Sequence, residues 1–254
     1  MSRSPHEDQR PRVPRGRVAV VVPTYNEAEN LPELAGRLFA LDLEDLRLYR
    51  LYIVDDGSPD GTADVARKLS EEYENRIEVI SRSGKQGLGT AYTTGFARAL
   101  AEDVDYVVQM DADLSHVPEE IPQMLGKLGR FDVSVGSRYT SGGGLDPEWS
   151  AKRRMLSGMG NHLIRAVTGV RVRDVTSGFK AYRVSALRSL DLSRIRCVGF
   201  GFQAEVAHYC QVNGLEVAEH PITFMERTRG VSKMSVRIIV EAIWKLTLLR
   251  IRTF

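Results

Sequence analysis

Cysteine is scarce in this sequence. Only Cys197 and Cys210 occur among 254 residues. They have no CxxC spacing and no histidines in a ligand pattern, so neither a disulfide framework nor a zinc site is encoded. A reduced, cytosolic setting is expected from that usage. Excess charge is also lacking: 35 Lys and Arg face 33 Asp and Glu, a formal net charge of +2. The strong basic footprint of a nucleic-acid protein is missing, and no nucleic-acid partner is expected. No apolar run reaches the roughly 18 residues of a membrane span. The N-terminus lacks the apolar core of a secretory signal. Catalysis is therefore expected on the cytosolic side of whatever membrane is involved.

What is present is an ordinary globular composition, 43% hydrophobic and 27% charged, with a strongly alternating pattern. Residues 1–16 are rich in Arg, Pro and polar side chains and are expected to form a disordered basic tail. From Arg17 the chain alternates strand and helix signals. Val18–Val22, Leu51–Val54, Ile77–Ile80, Tyr106–Met110 and Asp132–Gly136 are short apolar runs. Between them lie helical patterns, such as Leu31, Leu34, Leu38 and Leu41, with Asn26 and Glu29 read as a capping box. This order predicts one α/β domain over 17–234, a mostly parallel central sheet with helices on both faces. After Ser141 the rhythm changes: a helix is expected over 152–167, another over 203–212, and strands over 179–183 and 217–224.

In such a sheet, ligands bind where the strands end at their carboxyl side. Acidic residues fall there three times: Glu27, the pair Asp55 and Asp56, and the pair Asp111 and Asp113. Each alone is equally well a turn residue. Gathered on one rim, they need a cation or hydrogen-bond donors to offset their repulsion. Asp111-x-Asp113 suits a hard divalent ion, Mg²⁺ or Mn²⁺, which takes one or two carboxylates and completes its shell with water and substrate phosphate. His116 is read as a packing or supporting group rather than a ligand.

The loop Gly84-Lys85-Gln86-Gly87-Leu88-Gly89 matches neither a dinucleotide fingerprint nor a P-loop. It is either a plain loop leading into a helix or a place where backbone and Lys85 approach a substrate. The second half carries the cations: Arg138 after the fifth–strand signal, Arg153 and Arg154 opening a helix, and Arg227, Arg229 and Lys233 in a short Gly- and Ser-containing segment. Such a set fits phosphate.

Val22-Pro-Thr-Tyr-Asn-Glu27, Val54-Asp-Asp-Gly-Ser-Pro-Asp-Gly-Thr62, Asp111-Ala-Asp-Leu-Ser-His116, Gly136-Ser-Arg-Tyr139 and Ser177-Gly-Phe179 resemble the motifs of the GT-A-fold family 2 glycosyltransferases. The Arg227–Lys233 segment resembles that of the dolichyl-phosphate (polyprenyl-phosphate) mannose synthases. The resemblance implies transfer of mannose from GDP-mannose to a polyprenyl monophosphate, with inversion at the anomeric carbon. It further implies that Pro23, Tyr25, Glu27, Val54 and Asp56 line the guanosine-diphosphate pocket. Asp111 and Asp113 would hold the metal, and Ala112 would meet the nucleotide through its backbone. Arg138, Arg153, Ser157, Arg227 and Lys233 would hold phosphates. Ser115 departs from relatives that carry Gln there, and its short side chain would reach the metal shell only through water. A UDP-sugar-dependent polyprenyl-phosphate glucosyl- or N-acetylhexosaminyltransferase is the alternative enzyme; a nucleotide-sugar-binding module without turnover is the alternative outside enzymes.

A phosphate monoester has a second pKa of about 6 and is largely dianionic at neutral pH. As a nucleophile it needs positioning rather than a base. Asp113, Asp111 and Arg138 are therefore the expected catalytic residues, with Asp113 the principal metal ligand. A C-terminal amphipathic helix is expected over 235–254, lying in a membrane surface, docked on a partner or packed on the core. The expected location is peripheral, on the cytoplasmic face of a membrane.

Overall fold

The computed structural model of the protein describes residues 15–195, 197, 199, 201–226 and 247. Seven strands form the main sheet: β1 (Gly16–Thr24), β2 (Leu46–Asp55), β3 (Ile77–Ser81), β4 (Tyr106–Gln109), β5 (Val133–Ser137), β7 (Lys180–Arg183) and β8 (Val217–Pro221). A second, two-stranded sheet pairs β6 (Gly144–Leu145) with β9 (Thr223–Phe224). The helices are α1 (Leu31–Phe39), α2 (Thr62–Glu72), α3 (Leu88–Leu100), α4 (Ile121–Lys127), α5 (Ala151–Thr168), α6 (Val184–Ser189) and α7 (Gly201–Val212).

The strand order is β3-β2-β1-β4-β7-β5-β8. The pairs β1–β2, β1–β4, β2–β3 and β5–β8 are parallel, as the alternation predicts. Strand β7 runs antiparallel to both β4 and β5. The chain leaves β1 toward β2 and β3 on one side and returns to β4 on the other. The carboxyl ends of β1 and β4 thus border a topological switch point, where open α/β sheets place their ligands.

The continuous apolar run of β1 is explained by burial on both faces. Ala19 and Val21 enter a core formed with α3, α6 and α7. Val18, Val20 and Val22 enter the opposite core formed with α1, α2 and α4. Gly95, in the middle of α3, has a packing reason: a Cβ there would lie 2.3 Å from Val21 Cγ1. Its absence lets α3 sit close on the sheet.

Several expected boundaries shift. Asn26 does not cap a helix: it adopts φ 61°, and α1 begins five residues later behind Asn30, which makes no side-chain cap. The strand expected at Leu51 starts at Leu46. The strand expected over 217–224 is broken at Ile222 into β8 and β9. Most of the tail expected over 1–16, and nearly all of the helix expected over 235–254, lie outside the described residues, as do Arg227 and Lys233. Among the described residues no helix is long and apolar enough to cross a membrane.

Candidate active site

The loops after β1 and β2 are tied to each other. Asp55 Oδ1 accepts hydrogen bonds from Thr24 Oγ1 (3.1 Å) and Ser58 Oγ (2.5 Å), and Ser58 Oγ in turn accepts from the Asn26 N–H at 3.0 Å. Asp60 accepts from the Ala28 N–H, the Thr62 N–H and Thr62 Oγ1. Burial works to raise the Asp60 pKa, but these donors outweigh it and hold it below the usual value. The Glu27 N–H donates to Thr62 Oγ1 at 2.9 Å. Asp55 is therefore a turn-holding residue and not a ligand of the rim.

Asp56 differs from its neighbour. It is buried, and its Oδ2 accepts from the N–H groups of Gln86 (3.2 Å) and Gly87 (3.3 Å), where α3 begins. Its Oδ1 lies 3.2 Å from Arg82 Nε, an ion-pair distance, yet makes no aligned hydrogen bond. A buried carboxylate oxygen with an unfilled acceptor position suits a ligand N–H. Lys85, on the same loop, places its ammonium 4.5 Å from the Tyr25 ring centre. Tyr25 and Asp56, expected to share a pocket, and Lys85, a candidate substrate contact, thus meet on three neighbouring loops, after β1, β2 and β3. Pro23 and Val54 are register partners at the ends of β1 and β2, and Val54 is fully buried in the sheet.

Beyond β4 the backbone turns sharply, with Leu114 at φ 61°. Asp111 is held from two sides. Tyr92 of α3 donates its hydroxyl proton to Asp111 Oδ1 at 2.8 Å, and the Asp111 N–H donates to His116 Nδ1 at 3.0 Å. Asp113 Oδ1 accepts from the Ser115 N–H (3.1 Å) and Ser115 Oγ (2.6 Å). Ser115 is wholly buried, so it orients Asp113 and does not itself line the substrate site. His116 stacks on Phe179, 5.0 Å between centres. Burial lowers its pKa against the pull of Asp111 and Asp113, which keeps it neutral and lets Nδ1 accept. Gly178 packs against this group; a Cβ there would be 3.2 Å from His116 and 3.4 Å from both Asp111 carboxylate oxygens.

The donor set of this turn is oxygen, from two carboxylates, with the histidine nitrogen already engaged. That chemistry fits a hard divalent cation. Among the described residues no three His, Cys, Asp or Glu side chains gather into a metal cage, so a cation here would complete its shell from ligand oxygens and water.

The cationic side is built around Arg138. Its backbone N–H, Nε and Nη2 all donate to the carboxylate of Asp174, at 2.9, 2.7 and 2.7 Å, and Nη2 also donates to Thr176 Oγ1. Both ionic groups are almost wholly buried. Burial opposes each charge, but the partner wins: Arg138 is raised and Asp174 lowered from their usual values. Arg138 Nη1 is the guanidinium corner that Asp174 leaves unbonded.

Phe224 joins the two sides. Its ring meets His116 at 5.4 Å edge-on, and the Arg138 guanidinium carbon lies 5.3 Å from its centre. Trp149 packs on Phe224 at 5.8 Å, and Arg153 lies over Trp149 at 3.6 Å. Arg153 is paired with Glu226, and Ser157 Oγ is 2.9 Å from the Tyr139 hydroxyl. The expected phosphate holders Arg138, Arg153 and Ser157 are thus on adjoining elements, and each already has a protein partner: Asp174, Glu226 and Tyr139.

A family model described as glycosyl transferase family 2 matches residues 19–191. The chain belongs to glycosyl transferase family 2. Among curated relatives of this family 2 member is a polyprenol monophosphomannose synthase of Mycolicibacterium smegmatis, 41% identical over 234 residues, 92% of this chain and 86% of the relative. Another is an undecaprenyl-phosphate mannosyltransferase of Micrococcus luteus, 40% identical over 232 residues, 91% and 93% of the two chains. Solved structures agree in fold. Mannosyl-3-phosphoglycerate synthase from Rubrobacter xylanophilus aligns with TM-score 0.66 at 18% identity, covering 93% of this chain and 74% of its own. A mannosyltransferase from Pyrobaculum calidifontis, solved with GDP-mannose and Mn²⁺, aligns with TM-score 0.61 at 17% identity, covering 95% and 66%. The expected GT-A-like architecture is therefore the observed one.

Sequence alone does not single out Tyr92, Asp174, Lys180, Gln109 or Gln203 at or beneath this family 2 site. Tyr92 reads as a core aromatic of α3, and only its hydroxyl at Asp111 marks it out. Asp174 lies 36 residues from Arg138. Ser177, Lys180, Gln109 and Gln203 form a buried network beneath Gly178. Lys180 Nζ donates to the Ser177 carbonyl at 2.7 Å and to Gln203 Oε1, and Gln109 Nε2 donates to the Gly178 carbonyl at 3.0 Å. Burial depresses the Lys180 pKa to about 8.

Proposed function

We propose that the chain transfers mannose, with inversion, from GDP-mannose to a polyprenyl monophosphate, at the cytoplasmic face of a membrane to which it is peripherally bound. The observation that carries this reading is the pairing of an oriented carboxylate turn, Asp111–Asp113, with a buried Arg138 whose Nη1 remains unbonded by Asp174. The names of the relatives at about 40% identity support mannose and a polyprenyl acceptor.

Asp111 and Asp113 would hold Mg²⁺ or Mn²⁺, which when bound supplies positive charge to the departing diphosphate. Asp113, gripped by Ser115 on one oxygen, is the principal holder, and Asp111 the second. The open acceptor position of Asp56 takes an N–H of the base, while Tyr25 and Lys85 flank the nucleoside and its phosphates beside Pro23, Glu27 and Val54. The buried Ala112 presents its backbone to the nucleotide. Arg138 Nη1 holds a phosphate oxygen at the reacting end. The acceptor phosphate recruits Arg153 from Glu226 and Ser157 from Tyr139, aided by Arg227 and Lys233. Because the attacking group is a phosphate oxygen already deprotonated at neutral pH, these residues position it and none needs to remove a proton.

Labelled GDP-mannose incubated with polyprenyl phosphate and Mn²⁺ or Mg²⁺, followed by lipid chromatography, should yield mannose on the lipid. Transfer from UDP-glucose or UDP-N-acetylglucosamine instead would overturn the donor assignment. Nucleotide-sugar binding without any lipid product would overturn catalysis altogether.

A further inference from the structure

Helix α5 leaves an apolar stripe uncovered. Six large apolar side chains are exposed among the described residues, and four of them are on this helix: Met155 (61% exposed), Leu156 (41%), Met159 (60%) and Leu163 (47%). Met155, Met159 and Leu163 recur every fourth residue, so they line one face, with Leu156 beside them. The opposite face, with Gly160, Asn161, Ile164 and Thr168, is buried in the domain. A clustered stripe of this kind marks an interaction surface rather than scattered surface apolarity.

The charge around the stripe has one sign. Between Ala151 and Thr168 the helix carries Lys152, Arg153, Arg154 and Arg165, and no Asp or Glu. Among the described residues, Arg153 alone of these forms an ion pair, with Glu226. Along the flank of the stripe lies a cavity of about 390 Å³, lined by Tyr139, Gly158, Asn161, His162, Arg165 and Arg173. Arg165 Nε is buried there without a hydrogen-bond partner, and its Nη2 reaches the Arg171 carbonyl only at 3.4 Å. Asp174 is engaged by Arg138, and Glu219 Oε1 accepts from the N–H groups of Arg173 and Asp174 rather than from a guanidinium. The cavity therefore offers a guanidinium donor, Arg165 Nε, that no acceptor among the described residues receives.

We propose that the outer face of α5 docks on an anionic phospholipid bilayer. Met155, Leu156, Met159 and Leu163 enter the boundary between headgroups and acyl chains, and the cavity of Arg165, Arg173 and His162 receives a phospholipid phosphate. Apolar residues flanked by cations are the pattern of an interfacial helix. A second copy is a poorer occupant: a two-fold contact would set this cation-only face against itself. The proposal deepens the acceptor assignment and rests on it for its purpose. Arg153 and Ser157 are on the same helix, so docking it brings the acceptor-phosphate holders to headgroup depth.

The full chain should be sedimented with phosphatidylcholine vesicles, with and without phosphatidylglycerol, and with no polyprenyl phosphate present. The wild type should bind the anionic vesicles and lose that binding as salt rises. Replacing Met155, Met159 and Leu163 together by Gln should lower the partition coefficient by at least about tenfold. Arg165→Gln with Arg173→Gln should lower it by roughly 25-fold on anionic vesicles, about fivefold per cation, with little effect on neutral ones. Both variants should keep the wild-type melting temperature and turn over a detergent-solubilised short-chain acceptor normally. Vesicle binding unchanged by both variants, or carried wholly by residues 235–254 in a deletion, overturns the proposal. So does a dimer in solution that the triple Gln variant abolishes, since the face then belongs to a second copy. Vesicle binding that depends on α5, with no turnover of any lipid phosphate, would instead sink the acceptor assignment while leaving the docking surface intact.

Discussion

The two sides of the site hold their charged groups in opposite ways. On the carboxylate side, neutral donors orient Asp111 and Asp113, through the Tyr92 hydroxyl and Ser115, while Asp56 adds the nearby Arg82 to its backbone N–H donors. On the cationic side, Arg138 is held by a buried carboxylate, Asp174, and Arg153 by Glu226. A neutral donor orients a carboxylate without cancelling its charge. A carboxylate partner cancels most of the charge it holds and leaves one corner of the guanidinium for a ligand. The difference teaches that removing a charge on the first side should strike function, whereas on the second side it should strike stability as well.

The largest effect expected is from Asp113→Ala. Turnover of GDP-mannose should fall by about 10³-fold or more, while the melting temperature stays within a few degrees of wild type. Steady-state assays beside a thermal melt check it; a collapse of the fold would erase the contrast between the two sides. Next is Asp174→Ala, which strands the buried Arg138 charge. Breaking such a pair costs about 3–5 kcal/mol, which in a domain of this size lowers the melting temperature by roughly 10 °C. A melt unchanged by this substitution would break the comparison.

Ser115→Ala should act more gently and only on the carboxylate side. Removing a group that orients a metal-holding carboxylate weakens metal affinity by roughly 10–100-fold. Titrating Mn²⁺ into the variant, with nucleotide present, measures it, and an unaltered affinity would remove Ser115 from its assigned role.

The smallest effect concerns Lys180, which has no carboxylate partner of the Asp174 kind. Its pKa is about 8 when folded against 10.5 for the unperturbed side chain. The unfolded chain therefore binds more protons between those values, and stability rises with pH across that window. Below about pH 8 both states are protonated and the burial penalty is constant. Relative to a Lys180→Met variant, the wild type should gain roughly 1.5 kcal/mol between pH 8 and 9.5, measured by denaturant unfolding at each pH. A flat difference would mean that the ammonium is already compensated in the folded protein.

The carboxylate side was largely legible in the sequence, because it is local. Short apolar strands followed at once by Asp, Gly and Ser signal a strand end and its loop, and Asp111, Asp113 and Asp56 stand where that logic puts them. The failures there are also local: Asn26 looked like a helix cap, but its left-handed backbone and the bond from its N–H to Ser58 serve the loop after β2 instead. The cationic side depends on distant partners. Nothing near Arg138 announces Asp174, and a four-residue strand such as β7, Lys180-Ala-Tyr-Arg183, carries no sign of its direction, so its antiparallel run is not readable from sequence. Likewise α5 was recognised as a helix, but which of its faces met the domain was fixed only by packing.

Phe224 stands with one edge toward His116 and its face toward Arg138, as a wall shared by two compartments. By thermodynamic linkage, any shift of this ring favoured by a nucleotide must alter affinity for the second substrate by the same factor that the second substrate alters affinity for the nucleotide. On the proposed reaction, the affinities of donor and acceptor would thus be tied together through one aromatic side chain that takes no part in the bond changes.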